Sequence, residues 1–344
     1  MTVQSLKRGA IPSPRHALAA AAPHVARIGA PPNFIVIPPK ISMWGNDVHG
    51  DCVTAEEAFA KACNNPEIFI PDSEVIAWAT RHGVLEGANL TEVMQWMQND
   101  GFSDGTHMYN DGPFFSVDWT NPTTLKSAIS NGPVKIGIAA DQIDTAWHKY
   151  GGKSGWFGVG FKPDNNEDHC VTLCGYGTIT WLAQQLNVPV PAGIVGTMPG
   201  YALFTWNSIG ILDEPSMNAI THEAWLRQPT TVTKPLNVSG NWVLHYSWGC
   251  TGSYGQAMIT FNNDGTFTGT LTGKWVHQDG TFLWSYDSGP AKYGGTVNGN
   301  AGSGAMSTFA GSNGCWYLVK QGTVGTPAAA VSHDQTHDAA GNKV

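Results

Sequence analysis

The fold of this chain is decided by residues 44–52, which read Trp44-Gly45-Asn46-Asp47-Val48-His49-Gly50-Asp51-Cys52. The residues that follow are rich in alanine, and their apolar members recur at helical spacing: Ala55, Ala58, Phe59, Ala62 and Cys63. Asn64-Asn65-Pro66 then supplies a helix stop. The pattern therefore predicts a helix that begins at Cys52 and carries a thiol in its first turn.

Two later segments carry groups that can work with this thiol. Asp168-His169-Cys170 leads into an apolar run that ends in Gly175-Tyr176-Gly177, and Asn207 ends a second predicted strand that starts at Tyr201. The positive end of a helix dipole favours a thiolate, and a nearby imidazolium lowers the thiol pKa further. The same imidazolium can protonate an amine leaving group. These residue types in this order indicate a thiolate-imidazolium catalyst.

Such a catalyst needs two further groups. The imidazole has to be oriented, and a neutral amide such as Asn207 can do this while leaving the ion pair intact. The developing oxyanion has to be stabilised, and the candidates are the Asn46 side chain and the backbone N–H of Cys52. Free cysteines are more often core residues, and we interpret three others in that way: Cys63, Cys170 and Cys174.

Taken together, these motifs resemble the papain-like (C1-type) cysteine peptidases. In that family the nucleophile opens a long central helix, and the histidine begins a strand ending in Gly-Tyr-Gly. The matching stretches here also include Asn131-Gly132-Pro133-Val134 and Asn207-Ser208-Ile209-Gly210. The resemblance covers roughly residues 40–215 and extends to uncharacterised bacterial and phage members. It implies a two-lobed domain in which Cys52, His169, Asn207 and Asn46 are catalytic.

The chain departs from the family pattern at several positions. Asn46 stands where the family usually has glutamine, and Ile209 stands where a tryptophan usually covers the asparagine. His49 and Val84 replace the two cysteines of a family disulfide, a joint loss that a reducing compartment would permit. The 51 residues before Cys52 are fewer than the family's usual inhibitory pro-domain and mature start require.

The resemblance also implies two substrate-binding residues. Gly87 falls where the family lets a substrate backbone approach, and Asp168 would lie at the rim of the substrate site. A solvated carboxylate at Asp168 is an open alternative. His222-Glu223 lacks the second histidine of a zinc-protease helix, so we expect no metal. No organic cofactor is required by this chemistry.

Composition narrows the class of partner. The 344 residues are 42% hydrophobic and 13% charged, as in a globular protein of two domains. A net charge of -8 disfavours nucleic acid as a partner. No apolar run approaches the roughly 20 residues that span a bilayer. The alanine cluster at 17–22 is bounded by Pro12, Pro14 and Arg15 on one side and by Pro23 on the other, so it lacks the continuous apolar core of a signal peptide. We expect a protein that is cytoplasmic or released without a classical signal, with no membrane partner.

The predicted fold class is α+β, with a two-lobed papain-like domain of a helical lobe and a β lobe, followed by an all-β antiparallel barrel. Residues 1–40, rich in proline and alanine, are expected to form an extended arm on the body. The papain-like domain is placed at 41–230 and the barrel at 236–322. Residues 323–344, which include His333 and His337, are expected to be disordered.

The barrel prediction depends on short strands separated by Asn, Asp and Gly turns, of which Asn263-Asp264-Gly265 is the clearest. Their number suggests six to eight strands, similar to small avidin-type or lipocalin-type barrels. Its many aromatic residues either fill the barrel or line a cavity for a small ligand. Cys250 and Cys315 either pair or remain free thiols.

The function that follows is hydrolysis of a peptide or amide bond through an acyl-enzyme at Cys52, with a peptide or protein as substrate. Two alternatives stay open. The same site could transfer the acyl group in a transpeptidation, or act as a deamidase or in a cyclisation. The chain could instead be a non-catalytic binding protein whose barrel is the working part.

Overall fold

The computed structural model describes residues 6–25, 29–233, 238–278, 281–321 and 338–342. The chain divides into two compact units, Met1–Lys234 and Pro235–Val344. The first unit mixes helices with a large sheet, and the second is a closed antiparallel barrel. The predicted class, an α+β domain followed by an all-β barrel, is therefore confirmed. Within the described residues, no helix combines the length and apolar character needed to cross a membrane.

The helices of the described chain all lie in the first unit. They are α1 (Arg15–Ala20), α2 (Cys52–Ala62), α3 (Asp72–Arg81), α4 (Leu90–Asn99), α5 (Pro122–Asn131), α6 (Asp141–Lys149), α7 (Ile179–Gln185) and α8 (Glu214–Ile220). Local signals set several of their starts. The side chain of Asn89 caps α4 by accepting from the backbone N–H of Glu92, and Asn121 caps α5 in the same way. Helix α2 begins at Cys52, as the sequence predicts.

The strands of the first unit are β1 (Ala10–Ile11), β2 (Phe34–Ile35), β3 (Ala88–Asn89), β4 (Phe102–Ser103), β5 (Met108–Asn110), β6 (Phe114–Ser116), β7 (Val134–Ile138), β8 (Phe157–Gly158), β9 (His169–Thr178), β10 (Pro199–Thr205), β11 (Ser208–Asp213), β12 (Thr221–Arg227) and β13 (Thr231–Thr233). The main sheet has the order β6-β12-β7-β9-β10-β11-β8, and β2 pairs with β9. Strand β9, which begins at His169, therefore lies in the middle of the sheet.

Two apolar cores lie in this unit. One joins α2, α3 and α4 to the sheet, and the other packs α5 and α6 against it. A buried ion cluster joins α2 to the sheet, and it consists of three acidic and three basic side chains: Glu56, Glu57, Asp111, Lys61, Lys135 and Arg227. Because each of these charges lies beside an opposite one, the cluster fixes α2 to β7 and β12, and β7 pairs with β9, which begins at His169.

The N-terminal residues are only partly extended. Residues 10–11 form β1 and pair in parallel with β3, but residues 15–20 form the short helix α1, which the sequence analysis did not predict. The isolated bridge between Pro23 and Ser116 adds a further contact with the body.

The second unit is a closed barrel of eight strands: β14 (Gly240–Trp248), β15 (Gly255–Phe261), β16 (Thr266–Gly269), β17 (Gly273–Gln278), β18 (Thr281–Tyr286), β19 (Lys292–Asn298), β20 (Ala301–Ser307) and β21 (Asn313–Lys320). Alternate residues face inward, and the interior holds buried aromatic side chains such as Trp242, Trp284 and Trp316. Cys250 and Cys315 form a disulfide. Aromatic filling thus accounts for much of the interior.

The C-terminal residues differ from the prediction of a disordered tail. Residues 338–342 form a turn against the barrel, where the Asp338 carbonyl accepts from the Trp248 indole at 3.0 Å and Ala340 is fully buried. A cavity of about 150 Å³ lies beside this turn, between Tyr246 and Tyr286. His333 and His337 lie outside the described residues.

Candidate active site

Cys52 is the first residue of α2, and its side chain is 2% exposed. Burial raises the pKa of its thiol to about 12, against a lowering by the backbone N–H groups of Cys170 and Gly9. The contact with Cys170 places the thiol beside the start of β9. The contact with Gly9 shows that the N-terminal segment also reaches the sulfur.

The turn that carries Cys52 is closed by Asn46. Its side-chain amide donates to the carbonyl of His49 at 3.1 Å, and its backbone N–H donates to Met43. Asn46 is buried, so the structure places it within this turn, six residues before the nucleophile. Both carboxylate oxygens of Asp51 are buried without a hydrogen-bond partner among the described residues. Burial raises the pKa of Asp51 to about 8.

A polar contact replaces the disulfide that the papain-like resemblance would predict. Nδ1 of His49 lies 2.9 Å from Oε1 of Glu86, and the second oxygen of Glu86 accepts from the backbone N–H of Gly50. The nucleophile turn is therefore attached to the segment before Gly87 by hydrogen bonds rather than by a covalent bond.

His169 begins β9 and is buried beside Trp206, whose ring stacks on the imidazole at a centroid distance of 4.4 Å. Nε2 of His169 lies 2.8 Å from Oγ1 of Thr205, and no described residue pairs with Nδ1. Burial lowers the pKa of His169 to about 3, and the charge of Arg8 acts in the same direction. The imidazole is therefore neutral here, and no hydrogen bond of the described residues joins it to Cys52.

The structure does not bring Asn207 to the imidazole, although the sequence analysis expected it there. Strands β10 and β11 pair Thr205 with Ser208, so Trp206 and Asn207 form a two-residue loop. Both loop residues have positive φ, 44° and 56°, as a type I′ hairpin turn requires. The Asn207 side chain is exposed, and Thr205 occupies the orienting position instead.

The side chain of Ser208 stabilises the hairpin turn at residues 206 and 207. Its buried hydroxyl donates to the carbonyl of Thr205 at 2.9 Å and accepts from the indoles of Trp147 and Trp156. These bonds define the end of β10 and therefore the position of the Thr205 hydroxyl. Trp206 covers the His169 imidazole with its ring, while Asn207 stays exposed.

The N-terminal segment 7–13 lies across this site, and we call it the arm strand. The Lys7 carbonyl accepts from the Trp206 indole at 3.1 Å, and the Ala10 backbone N–H donates to the Asp168 carbonyl at 3.1 Å. Ala10 and Ile11 then pair with β3. The arm strand therefore runs from Trp206, beside His169, past Cys52 to β3 on the other side of the site.

Glycines allow the close approach of the arm strand. A Cβ on Gly9 would lie 1.7 Å from the carbonyl oxygen of Gly50, and a Cβ on Gly87 would lie 3.0 Å from the carbonyl oxygen of Gly9. The Gly9 carbonyl also accepts from the backbone N–H of Ala88 at 2.9 Å. The arm strand thus approaches Gly87, the residue for which the resemblance implies a substrate backbone.

Asp168 contributes both its backbone and its side chain. Oδ2 accepts from the Arg8 guanidinium at 2.8 Å, and Oδ1 accepts from the backbone N–H of Ala140 at 3.0 Å. The same guanidinium contacts Asp141 at 2.5 Å and Asp144 at 3.0 Å, both on α6. Asp168 is therefore part of an ion-paired group and not an isolated solvated carboxylate.

The Glu223 carboxylate holds the end of the arm strand, and Glu167 lies beside it. Oε1 of Glu223 accepts from the backbone N–H of Ser13 at 3.0 Å, and the Ser13 hydroxyl accepts from the backbone N–H of Thr91. Burial raises the pKa of the neighbouring Glu167 to about 9, and its hydrogen bond to Glu223 and the charge of Glu223 act in the same direction. Glu167 is therefore protonated at neutral pH.

Sequence reasoning predicted an extended N-terminal arm but missed its passage across the site, and it also missed Thr205 and the Glu167–Glu223 pair. Of these, only Thr205 had a local signal, because a strand followed by Trp-Asn and then by alternating apolar residues is typical of a tight hairpin. The contacts of the arm strand join residues that are far apart in the sequence, such as Ser13 and Glu223, which are 210 positions apart, and one sequence offers no signal for them. Within the described residues, no group of three or more His, Cys, Asp or Glu side chains could hold a metal ion.

Comparison with known proteins gives a limited result. No protein-family model matches the chain, and no curated protein matches it in sequence. Among solved structures, it is similar to the Amb a 11 cysteine protease, a ragweed pollen allergen in its proform, at 13% identity and a TM-score of 0.37 over 62% of this chain and 73% of that one. It is also similar to recombinant stem bromelain precursor, at 11% identity and a TM-score of 0.37 over 65% and 78% of the two chains. These similarities are too distant to show a shared function, so the function is inferred from the site itself.

Proposed function

We propose that the first unit is a cysteine-dependent hydrolase of peptide or amide bonds, held latent by its own arm strand. The observation that carries this proposal is the convergence of three features at one place. A thiol opens α2, an oriented imidazole lies at the start of the adjacent strand, and a backbone segment passes between them and β3.

The chemistry follows from the positions of these groups. With Nε2 bonded to Thr205, the free Nδ1 of His169 is the nitrogen that would take the proton from Cys52. The thiolate would attack the substrate carbonyl, and His169 would return the proton to the departing amine. Water then releases the acyl group from sulfur. The backbone N–H of Cys52 and the Asn46 amide are the donors proposed for the oxyanion.

The latent state has an electrostatic cause. The arm strand buries both groups, which raises the pKa of Cys52 and lowers that of His169, and Arg8 adds a positive charge that further lowers the pKa of His169. Both changes favour the neutral thiol and the neutral imidazole over the ion pair. Removal of the arm strand would expose both groups and remove the charge of Arg8, and for Cys52 this outweighs the loss of the lowering by the Gly9 backbone N–H, because burial is the larger cause.

The proposal is tested by labelling with a thiol-directed epoxide at pH 7, read by intact mass. We expect a variant lacking residues 1–13 to label much faster than the full chain, and the same truncation with Cys52→Ala or His169→Ala to lose that gain. If the truncated protein labels no faster than its His169→Ala counterpart, the activated thiol is ruled out. The non-catalytic alternative would then be favoured.

A further inference from the structure

Three aspartates surround one cation beside the thiol. The Arg8 guanidinium contacts Oδ1 of Asp141 at 2.5 Å, Oδ2 of Asp168 at 2.8 Å and Oδ2 of Asp144 at 3.0 Å. Arg8 directly precedes Gly9, which packs against the carbonyl of Gly50, two residues before Cys52. We call the three aspartates the acidic subsite. They bind the side chain of the residue that precedes Gly9 in the arm strand, so they lie next to the site of Cys52.

The acidic subsite lies on the histidine side of Cys52. From Gly9 the arm strand runs one way through Arg8 to Lys7, whose carbonyl is bonded to Trp206, and Trp206 stacks on His169. In the other direction it runs to Ala10 and β3. Because His169 has to protonate the departing amine, the part of a substrate that leaves must lie on this side.

The subsite is preformed by contacts that do not involve Arg8. The backbone N–H of Ala140 donates to Asp168, and His148 contacts Asp144 at 3.0 Å. Asp141 and Asp144 are held together on the first turn of α6. Three carboxylates this close repel one another, so the cleft without Arg8 would attract a cation, and a guanidinium can bond to several of them at once.

We propose that the acidic subsite selects substrates with an arginine, or less strongly a lysine, on the amine side of the bond that is cut. This inference rests on the proposed function and names its substrate class. In the reaction, Cys52 forms a bond to the carbonyl carbon, the carbon–nitrogen bond breaks, and the amine carrying the basic residue leaves with the proton from His169. Water then replaces sulfur at the carbonyl carbon.

Peptide binding tests the subsite apart from catalysis. The probe is a fluorescein-labelled peptide with the sequence of residues 6–13, carrying either arginine or its neutral analogue citrulline at the position of Arg8, and binding to the truncated protein is read by anisotropy. We expect about tenfold weaker binding of the citrulline peptide. Asp141→Asn with Asp144→Asn should reduce this difference to about twofold, while Asp118→Asn, an exposed aspartate elsewhere, should leave it unchanged. Equal binding of the two peptides, or a preference that survives the double substitution, overturns the subsite.

Cleavage sites then test the substrate class. Reduced and alkylated casein is digested with the truncated protein, and the new N-termini are identified by mass spectrometry. We expect enrichment of arginine and lysine as the first residue after the cut, lost in the double aspartate variant. If truncation prevents folding, the full chain with Arg8→Glu serves in both assays. Failure of epoxide labelling with intact peptide preference would contradict the proposed function and leave the subsite standing.

Discussion

The imidazole Nε2 of His169 lies 2.8 Å from the hydroxyl oxygen of Thr205, and the Asn207 side chain is exposed two residues further on. The hydroxyl oxygen can accept a hydrogen bond from Nε2–H. This bond favours the tautomer in which Nδ1 carries no proton and is free to act as a base. In this chain, a threonine in the last position of β10 therefore does what an asparagine was expected to do.

The first prediction concerns this hydrogen bond. In the truncated protein, Thr205→Val should slow epoxide labelling of Cys52 about tenfold, because a lost hydrogen bond of roughly 1.4 kcal/mol leaves the imidazole unoriented. Thr205→Ser should restore most of the rate and return the pH profile of labelling to that of the parent. Asn207→Gly suits the same left-handed turn and should change the rate by less than about twofold. A larger loss from Asn207→Gly than from Thr205→Val would contradict this assignment.

The helices near the site could be predicted because their signals are local. The apolar period after Cys52 and the cap at Asn89 lie within the elements that they define, and α2 and α4 begin where these signals indicate. The barrel could be predicted in the same way, from alternation and turn residues. These features depend on neighbouring residues alone.

The orienting residue could not be predicted because it depends on register. In a longer strand, residues 205 and 207 would share one face, but the type I′ turn at residues 206 and 207 ends β10 at Thr205 and leaves only Thr205 beside His169. The resemblance placed Asn207 at the site by motif order, whereas the pairing of Thr205 with Ser208 places it in the loop.

The second prediction concerns the seating of the arm strand. Gly9→Ala should raise the rate of Cys52 labelling at pH 7 by at least about tenfold, because its Cβ would meet the Gly50 carbonyl oxygen at 1.7 Å and displace the strand. Gly29→Ala is the matched control, since nothing lies within 4 Å of a Cβ at that position. The measurement is the labelling rate of Cys52 by intact mass, compared between the two variants and the parent protein. Unchanged labelling of Gly9→Ala would mean that the arm strand does not restrict access to the thiol.

The third prediction concerns the pH dependence of that latency. With a pKa of about 12, Cys52 in the full chain is almost entirely a thiol at neutral pH, and its labelling should keep rising as the pH increases toward 12. Without the arm strand, Cys52 and His169 are less buried and the charge of Arg8 is absent. The labelling rate of Cys52 should therefore begin to rise several pH units lower. The measurement is the labelling rate from pH 5 to 11 for both proteins. Coincident profiles would count against the electrostatic explanation.

The fourth prediction concerns Glu167. Its pKa in the folded protein is about 9, against an ordinary value of 4.5, so the folded state holds a proton that the unfolded state releases between these values. The resulting stability is present below pH 4.5 and is lost as the pH rises through 9. Glu167→Gln keeps a neutral group beside Glu223 and should flatten the decrease of Tm between pH 6 and pH 9. A decrease as steep as that of the parent protein would show that Glu167 is not the group responsible.

The fifth prediction concerns the buried ion cluster behind the site. The ammonium of Lys135 donates to the carbonyl of Val53 at 3.0 Å and contacts Glu56 at 3.1 Å as well as Glu57, all on α2. Lys135→Met should lower the free energy of unfolding of the first unit by about 3–5 kcal/mol, because it removes one of the cations that neutralise the buried carboxylates of Glu56 and Glu57. Lys153→Met, an exposed lysine, should change it by less than about 0.5 kcal/mol. Urea unfolding followed by tryptophan fluorescence compares the variants, and a Lys135→Met midpoint equal to that of the parent would refute the role given to the cluster. Because α2 carries Cys52 and the neighbouring strand carries His169, the same substitution should also reduce the labelling rate of the truncated protein.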